Sequence, residues 1–321
     1  MLATGTSQKH VEIIDLVNPR FQDTLQIKTP SRWGAVGGWI QNKPVIFGGS
    51  NGLMSRIKDG FFIRNKSPIS KPIKMMEERY GASAVVLNDD TLWIVGGANG
   101  TQDLSSSEFV TLKGSTKGPS LPFTVYGHSM VKIHDSMVYL IGGAQDSVTS
   151  KKTWILRNPL TKMIIEEGPN LSWARENHGS ALMKHSSGKN LLVVAGGVDR
   201  REREFSPTSV EILDIACKTW CQGPGLLYRV SFCQMFTSPT NRSVVLIGGN
   251  DAYEYDHTVD NCIWELSEDS RGRLTWFKLD QKLKYPRTKH VAIPVPGNQC
   301  DISPLLEFRD YAQELKAHGE L

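Results

Sequence analysis

Residues 178–220 read HGSALMKHSSGKNLLVVAGGVDRREREFSPTSVEILDIACKTW. The stretch holds four short runs of strand-forming residues. HGSALMK is small and apolar, LLVVAGG ends on a glycine pair, VEILD follows a charged loop, and KTW carries an aromatic. Runs of this length bounded by turn residues are strand signals. Four in succession, joined by short links, read as one up-and-down antiparallel sheet.

The same unit recurs along the chain, and a fixed period is the signature of a repeat architecture. VIFGG ends at Gly49, WIVGG at Gly97, YLIGG at Gly143, VVAGG at Gly197 and VLIGG at Gly249, which spaces the pairs 48, 46, 54 and 52 residues apart. Small-residue runs precede four of the pairs: WGAVGGWI from Trp33, YGASAVVL from Tyr80, YGHSMVKI from Tyr126 and HGSALMK from His178. Third runs follow, such as EFVTL from Glu108 and TWILR from Thr153, with KTW at Trp220 and LTW at Trp276 as fourth runs. Glycine suits the end of the second strand, where lack of a Cβ permits positive φ and close approach of neighbouring backbone. Trp220 and Trp276 are expected to pack between sheets.

The two ends of the chain complete the pattern. VEIID from Val11 is followed by Phe21 at the interval that separates VEILD from Trp220, and Leu2-Ala3-Thr4-Gly5 matches the end of a glycine-terminated second strand. RTKHVAI from Arg287 reads as a first strand with nothing after it. One sheet is therefore expected to be shared by the termini, which would remove two open edges. Five complete units plus this composite make six.

The glycine-ended strands, the VEILDIACKTW hairpin and the Arg-x-x-His start of the first strand resemble Kelch repeats over residues 2–296. The resemblance implies an all-β, Kelch-type β-propeller of about six four-stranded blades, spanning residues 1–300 as one domain. The repeat departs from the family pattern at Leu213 and Ile14, where a tyrosine is usual, and in residues 114–121, which lack the fourth-strand tryptophan. Residues 301–321 break the period. Leu305, Phe308, Ala312 and Leu315 fall at helical spacing after Pro304, so this tail is expected to be a short helix.

Function on such a fold sits in loops and around the axis, not in the fold itself. Three sets of residues recur at equivalent places. Arg32, Arg79, Arg175, Arg229 and Arg287 precede first strands, which in a Kelch-like ring line the axis. Converging guanidinium groups there would suit carboxylates, and bonding to neighbouring loops is the structural alternative. His128, His178 and His290 stand three residues beyond that position, with Val125 in place of arginine ahead of His128. No carboxylate or cysteine accompanies them at ligand spacing, so no metal site is expected. Trp33, Tyr80 and Tyr126 open three first strands and would either stack on a ligand or wedge the sheets apart. The loops at 50–58, 98–107, 144–151, 198–207 and 250–260 are further recognition candidates.

No catalytic signature of the GxSxG, HExxH or phosphate-loop type is present, and no cofactor is expected. The reading is a scaffold that binds another protein, with an anionic or acidic segment as a ligand the arginines would take. Kelch-like propellers include sugar oxidases and sialic-acid isomerases, so the resemblance also implies a carbohydrate-directed lectin or enzyme as the alternative.

The 321 residues carry a formal net charge of +4 without a block of like charges, which gives nucleic-acid binding no support. No apolar run reaches the length of a membrane span. Compartment stays open between cytoplasm and secretion. Five cysteines without a CxxC pair lean toward reduced thiols, whereas Asn65, Asn99, Asn170 and Asn241 each begin an N-x-S/T sequon in an expected turn.

Overall fold

A computed structural model describes residues 2–4, 10–14, 22–26, 32–51, 56–62, 72–201, 208–250 and 261–294; of the side chains in the first three segments it describes Glu12. The helical expectation for 301–321 and the acidic loop at 250–260 lie outside these, apart from Asn250. The described residues contain strands and no helix, and none of them forms a helix long and apolar enough to cross a membrane.

Six four-stranded antiparallel sheets follow one another. Sheet 1 runs Val36–Ile40, Lys43–Phe47, Asp59–Phe62 and Ile73–Lys74. Sheet 2 comprises Ser83–Asn88, Thr91–Val95, Ser107–Thr111 and Gly114–Lys117. Ser129–His134, Met137–Ile141, Thr153–Arg157 and Ile164–Glu167 make sheet 3. Sheet 4 is Gly179–Lys184, Asn190–Ala195, Val210–Asp214 and Thr219–Gln222. Sheet 5 is Gln234–Thr237, Val244–Ile247, Cys262–Glu268 and Leu274–Lys282. Sheet 6 joins Val291–Ile293 to Leu2–Thr4, then His10–Ile14 and Gln22–Gln26. Its register pairs Leu2 with Ile293, Ala3 with Ala292 and Thr4 with Val291, so the termini do share one sheet.

In sheets 1 to 5 the second strand is a mainly apolar run because it is covered on both faces. Leu191 to Ala195 are all buried, as are Leu92 to Val95 and Val244 to Ile247. The core is accordingly a series of clusters between neighbouring sheets. One holds Val193, Val210, Val230 and Leu246 of sheets 4 and 5; another holds Tyr139, Ile155, Leu192 and Leu213 of sheets 3 and 4. Fully burying one such aliphatic side chain contributes about 1.5–3 kcal/mol. Trp220 and Trp276 pack against these clusters as expected, and each indole N–H donates to a proline carbonyl, Pro169 at 2.7 Å and Pro224 at 2.9 Å.

First strands meet side by side around a common axis, and that of sheet 6 touches that of sheet 1. A cycle of six backbone hydrogen bonds runs around this axis. Gly34 N–H donates to Lys289 C=O, Gly81 to Gly34, Gly127 to Gly81, Asn177 to Gly127, Phe232 to Asn177, and Lys289 to Phe232, at 2.6–3.1 Å. All six donors have φ between 50° and 67°. The arrangement of sheets and this cycle define a propeller-like all-β fold.

Candidate binding site

The residue four before each first-strand start is fixed by a second set of backbone bonds. The second glycine of each pair donates to the carbonyl of Arg79, Val125, Arg175, Val230 or Arg287. Val230, not Arg229, therefore occupies the arginine position of sheet 5. Arg229 is displaced by one residue and is exposed, which corrects the sequence expectation.

Three of the arginines are spent inside their own sheets. Arg175 Nη1 donates to Gly196 C=O at 2.9 Å and its Nη2 to Glu211 Oε1 at 2.8 Å. Arg79 repeats this with Gly96 and Glu108, and Arg287 pairs with Glu12 at 2.8 Å. The side chains in the Arg287–Glu12 pair are 0% exposed. The carboxylates also take two loop N–H groups each: Met76 and Glu77, Ser172 and Trp173, Lys284 and Tyr285. Burial lowers the pKa of Arg175, while Glu211 opposes that shift. Arg32 in sheet 1 donates to the carbonyls of Gly48 and Asp59 and lies 4.9 Å from the Phe61 ring centroid; burial brings its pKa down to about 10, against the opposing effect of Asp59. Guanidinium groups so engaged do not converge on the channel mouth. The expected arginine ring is corrected to a set of internal locks, because a buried charge requires a partner at hand.

The histidines are likewise internal. His128, His178 and His290 are buried on sheets 3, 4 and 6, and the same place holds Cys233 in sheet 5. A methyl group placed on Gly96, Gly142 or Gly248 would meet the Cε1 atom of His128, His178 or His290, so each imidazole fills the gap over the preceding sheet's first glycine. Burial holds all three at a pKa of about 3, hence neutral. His178 Nε2 lies 2.8 Å from Ser129 Oγ. No group of three or more His, Cys, Asp or Glu among the described residues could hold a metal ion.

The aromatics do come together. Trp33, Tyr80 and Tyr126 each follow the arginine position and are half-buried. Their rings meet edge to face, Trp33 to Tyr80 at 5.2 Å and Tyr80 to Tyr126 at 5.5 Å. They form an arc on the loop-bearing end of the axis. The remaining three places on this circle are polar: Glu176, Ser231 and Thr288. Burial raises the carboxyl pKa of Glu176, although Arg200 Nε donates to it at 2.7 Å. Burial also raises the Tyr126 phenol.

Two cations stand over this arc. Lys289 Nζ lies 4.9 Å from the Trp33 ring centroid and 4.5 Å from that of Phe232. Arg56 lies 4.3 Å from the Tyr80 centroid and 6.0 Å from Trp33, with Nη1 donating to Ser50 Oγ. Neither makes an ion pair among the described residues. Burial lowers the Lys289 pKa, which makes an anionic partner more valuable to it. Beneath them is a cavity of about 80 Å3, lined by Trp33, Tyr126, Asn177, Phe232, Gln234 and Lys289 together with the three histidines.

Sequence reasoning reached Arg56 only as part of the candidate loop 50–58, and passed over Phe232, Lys289 and the three glutamates. A signal for two of them was available. The place after Trp33, Tyr80 and Tyr126 is Gly34, Gly81 and Gly127, but Phe232 and Lys289 occupy it in sheets 5 and 6 with φ of 54° and 50°. Left-handed backbone is unfavourable by about 1–2 kcal/mol for such residues. At Gly81 a side chain would collide with the Tyr126 ring. Bulky residues retained where glycine relieves strain point to a use for their side chains.

The fold and this end of the axis define a propeller-like β protein with an aromatic and cationic recess. No family model matches the chain, and no curated protein matches it. Among solved structures it is similar to one described as "Structure of YjhT", with a TM-score of 0.68 and 13% identity, over 86% of this chain and 96% of that one. A likeness at this identity shows the fold alone.

Proposed function

We propose that the chain is a closed, six-bladed propeller of Kelch type that binds a partner protein, gripping an acidic segment at the loop-bearing end of its axis. The observation that carries this is the pair Arg56 and Lys289, held over Trp33 and Tyr80 and neither of them ion-paired among the described residues. Cations held against aromatic faces and partly withdrawn from water gain most from an incoming carboxylate. The cycle of six hydrogen bonds supports the blade number. The recurrence of the Gly-Gly strand supports the Kelch relationship.

A second reading has its own support. An arc of three aromatic rings beside a small recess also suits a sugar, so a carbohydrate-directed lectin or enzyme is the alternative. The test titrates the full chain against a labelled peptide of alternating glutamate and glycine, against its glutamine counterpart, and against a panel of neutral and uronic-acid oligosaccharides. The acidic peptide should bind at least about tenfold tighter than its neutral analogue, a difference of about 1.4 kcal/mol. Lys289→Glu and Arg56→Glu should each remove the preference. Equal binding of both peptides would sink the acidic-segment reading; binding of sugars alone would establish the alternative.

A further inference from the structure

Rings and charges alternate along one side of the recess. In sheet order they are Phe232, Lys289, Trp33, Arg56 and Tyr80. Lys289 Nζ stands between Phe232 and Trp33, at 4.5 Å and 4.9 Å from the two centroids. Arg56 stands between Trp33 and Tyr80, at 6.0 Å and 4.3 Å. Both cations are half-buried, and a single indole bounds the gap between them. Ser50 Oγ takes only Nη1 of the Arg56 fork, and Nε is buried without a hydrogen-bond partner among the described residues. Trp33 between the cations keeps one carboxylate from meeting both at the roughly 2.7–2.9 Å of a charge-assisted bond. Residues two apart on an extended chain are about 6.4–6.8 Å apart and point to the same side, whereas adjacent residues point to opposite sides. Beyond Tyr80 the arc offers no third cation. Arg200 lies 5.6 Å from the Tyr126 centroid but is paired with Glu176 at 2.7 Å, and Asp103 is a further negative neighbour of Tyr126.

We infer that the recess reads two acidic side chains, two residues apart on an extended segment, with one carboxylate on Lys289 and the other on Arg56. The residue between them turns away from Trp33. This rests on the acidic-segment reading and narrows it to a spaced pair. A lone carboxylate engages one cation, an adjacent pair cannot present both groups to the same side, and a third acidic residue meets Glu176 and Asp103 instead of a free cation.

The probes are labelled glycine-rich peptides of equal length, carrying Glu-Gly-Glu, Glu-Glu or a lone glutamate, each titrated against the full chain. The spaced pair should bind at least about tenfold tighter than the adjacent pair of the same charge, and tighter than the lone glutamate by the same margin, about 1.4 kcal/mol. A third glutamate in the same alternation should add no more than the statistical gain of a second register. This series uses the unaltered protein, so no folding defect can imitate its result. In Lys289→Gln and in Arg56→Gln the spaced pair should bind no better than the lone glutamate, and an advantage retained in either variant overturns the assignment of one carboxylate to each cation. Equal binding of the spaced and adjacent pairs, or of the spaced pair and the lone glutamate, overturns the inference even where every glutamate peptide outbinds its glutamine counterpart and the acidic-segment reading stands. Equal binding of glutamate and glutamine peptides overturns both.

Discussion

Sheets 4 and 5 are neighbours that solve one problem in two ways. Each must fill the space between the loop before its first strand and the third strand, level with the residue two before the glycine pair. Sheet 4 uses Arg175 and Glu211, with Glu211 paired in register to Val194. Sheet 5 uses Val230 and Trp264, with Trp264 paired to Leu246, and both side chains lie in one apolar cluster. Sheets 2 and 6 follow sheet 4, with Arg79–Glu108 and Arg287–Glu12. Sheet 3 follows sheet 5, with Val125 in the arginine place and Trp154 opposite Leu140. Sheet 1 lies between the two, with Arg32 over Phe61. Partners change together, so the place is structural in every sheet. Arg79, Arg175 and Arg287 are therefore held by the fold and are not free to meet a ligand.

The largest expected effect comes from breaking one lock. Glu12→Ala or Glu211→Ala strands a buried guanidinium and should lower unfolding free energy by about 3–5 kcal/mol in urea titrations. Glu12→Ala should in addition detach the terminal strands, seen as faster amide exchange in residues 2–4 and 291–293. If the comparison is right, Arg175→Val with Glu211→Trp, which copies sheet 5 into sheet 4, should recover most of the loss that either single change causes. Additive losses would break it.

Acid should expose the next difference. The buried histidines titrate near 3 when folded and near 6.5 when unfolded, so the unfolded chain takes up protons first as pH falls. Their contribution is intact above pH 6.5 and is lost progressively below it. The thermal midpoint should therefore fall between pH 6.5 and 5, before most carboxylates titrate. Sheet 5 carries Cys233 at this place, its thiol pushed up to about 12 by burial, and contributes no such slope. His178→Cys should flatten the pH dependence, and an unchanged slope would contradict the assignment.

Smaller effects sharpen the distinction between lock and recess. Phe232→Gly removes a bulky residue from left-handed backbone, and stability should change by less than about 1 kcal/mol in either direction. Peptide binding should weaken in the same variant, because Lys289 loses one of its two aromatic neighbours. Arg229→Ala should change stability by no more than about 0.5 kcal/mol, as expected of an exposed side chain outside the locks.

Much of the fold was legible because a repeat states its rule many times. The Gly-Gly period, the shared terminal sheet and the inter-sheet tryptophans follow from spacing alone. The site was less legible. Arginine at a fixed place reads the same whether it faces a ligand or a glutamate, and the distinguishing glutamates lie 29 and 36 residues downstream in sheets 2 and 4. In sheet 6 the partner is 275 residues away. Displacing the arginine of sheet 5 by one position turned Arg229 outward, and no local pattern marks that slip.

By itself, then, the sequence determined the sheets, their order and the joining of the two ends, because alternation and turn residues act over short stretches of chain. Tertiary structure alone decided which charges are silent and which are available. Burial, and the partner that burial requires, depend on residues brought together from separate sheets. Only their assembly leaves Arg56 and Lys289 over the aromatic arc without an ion pair among the described residues.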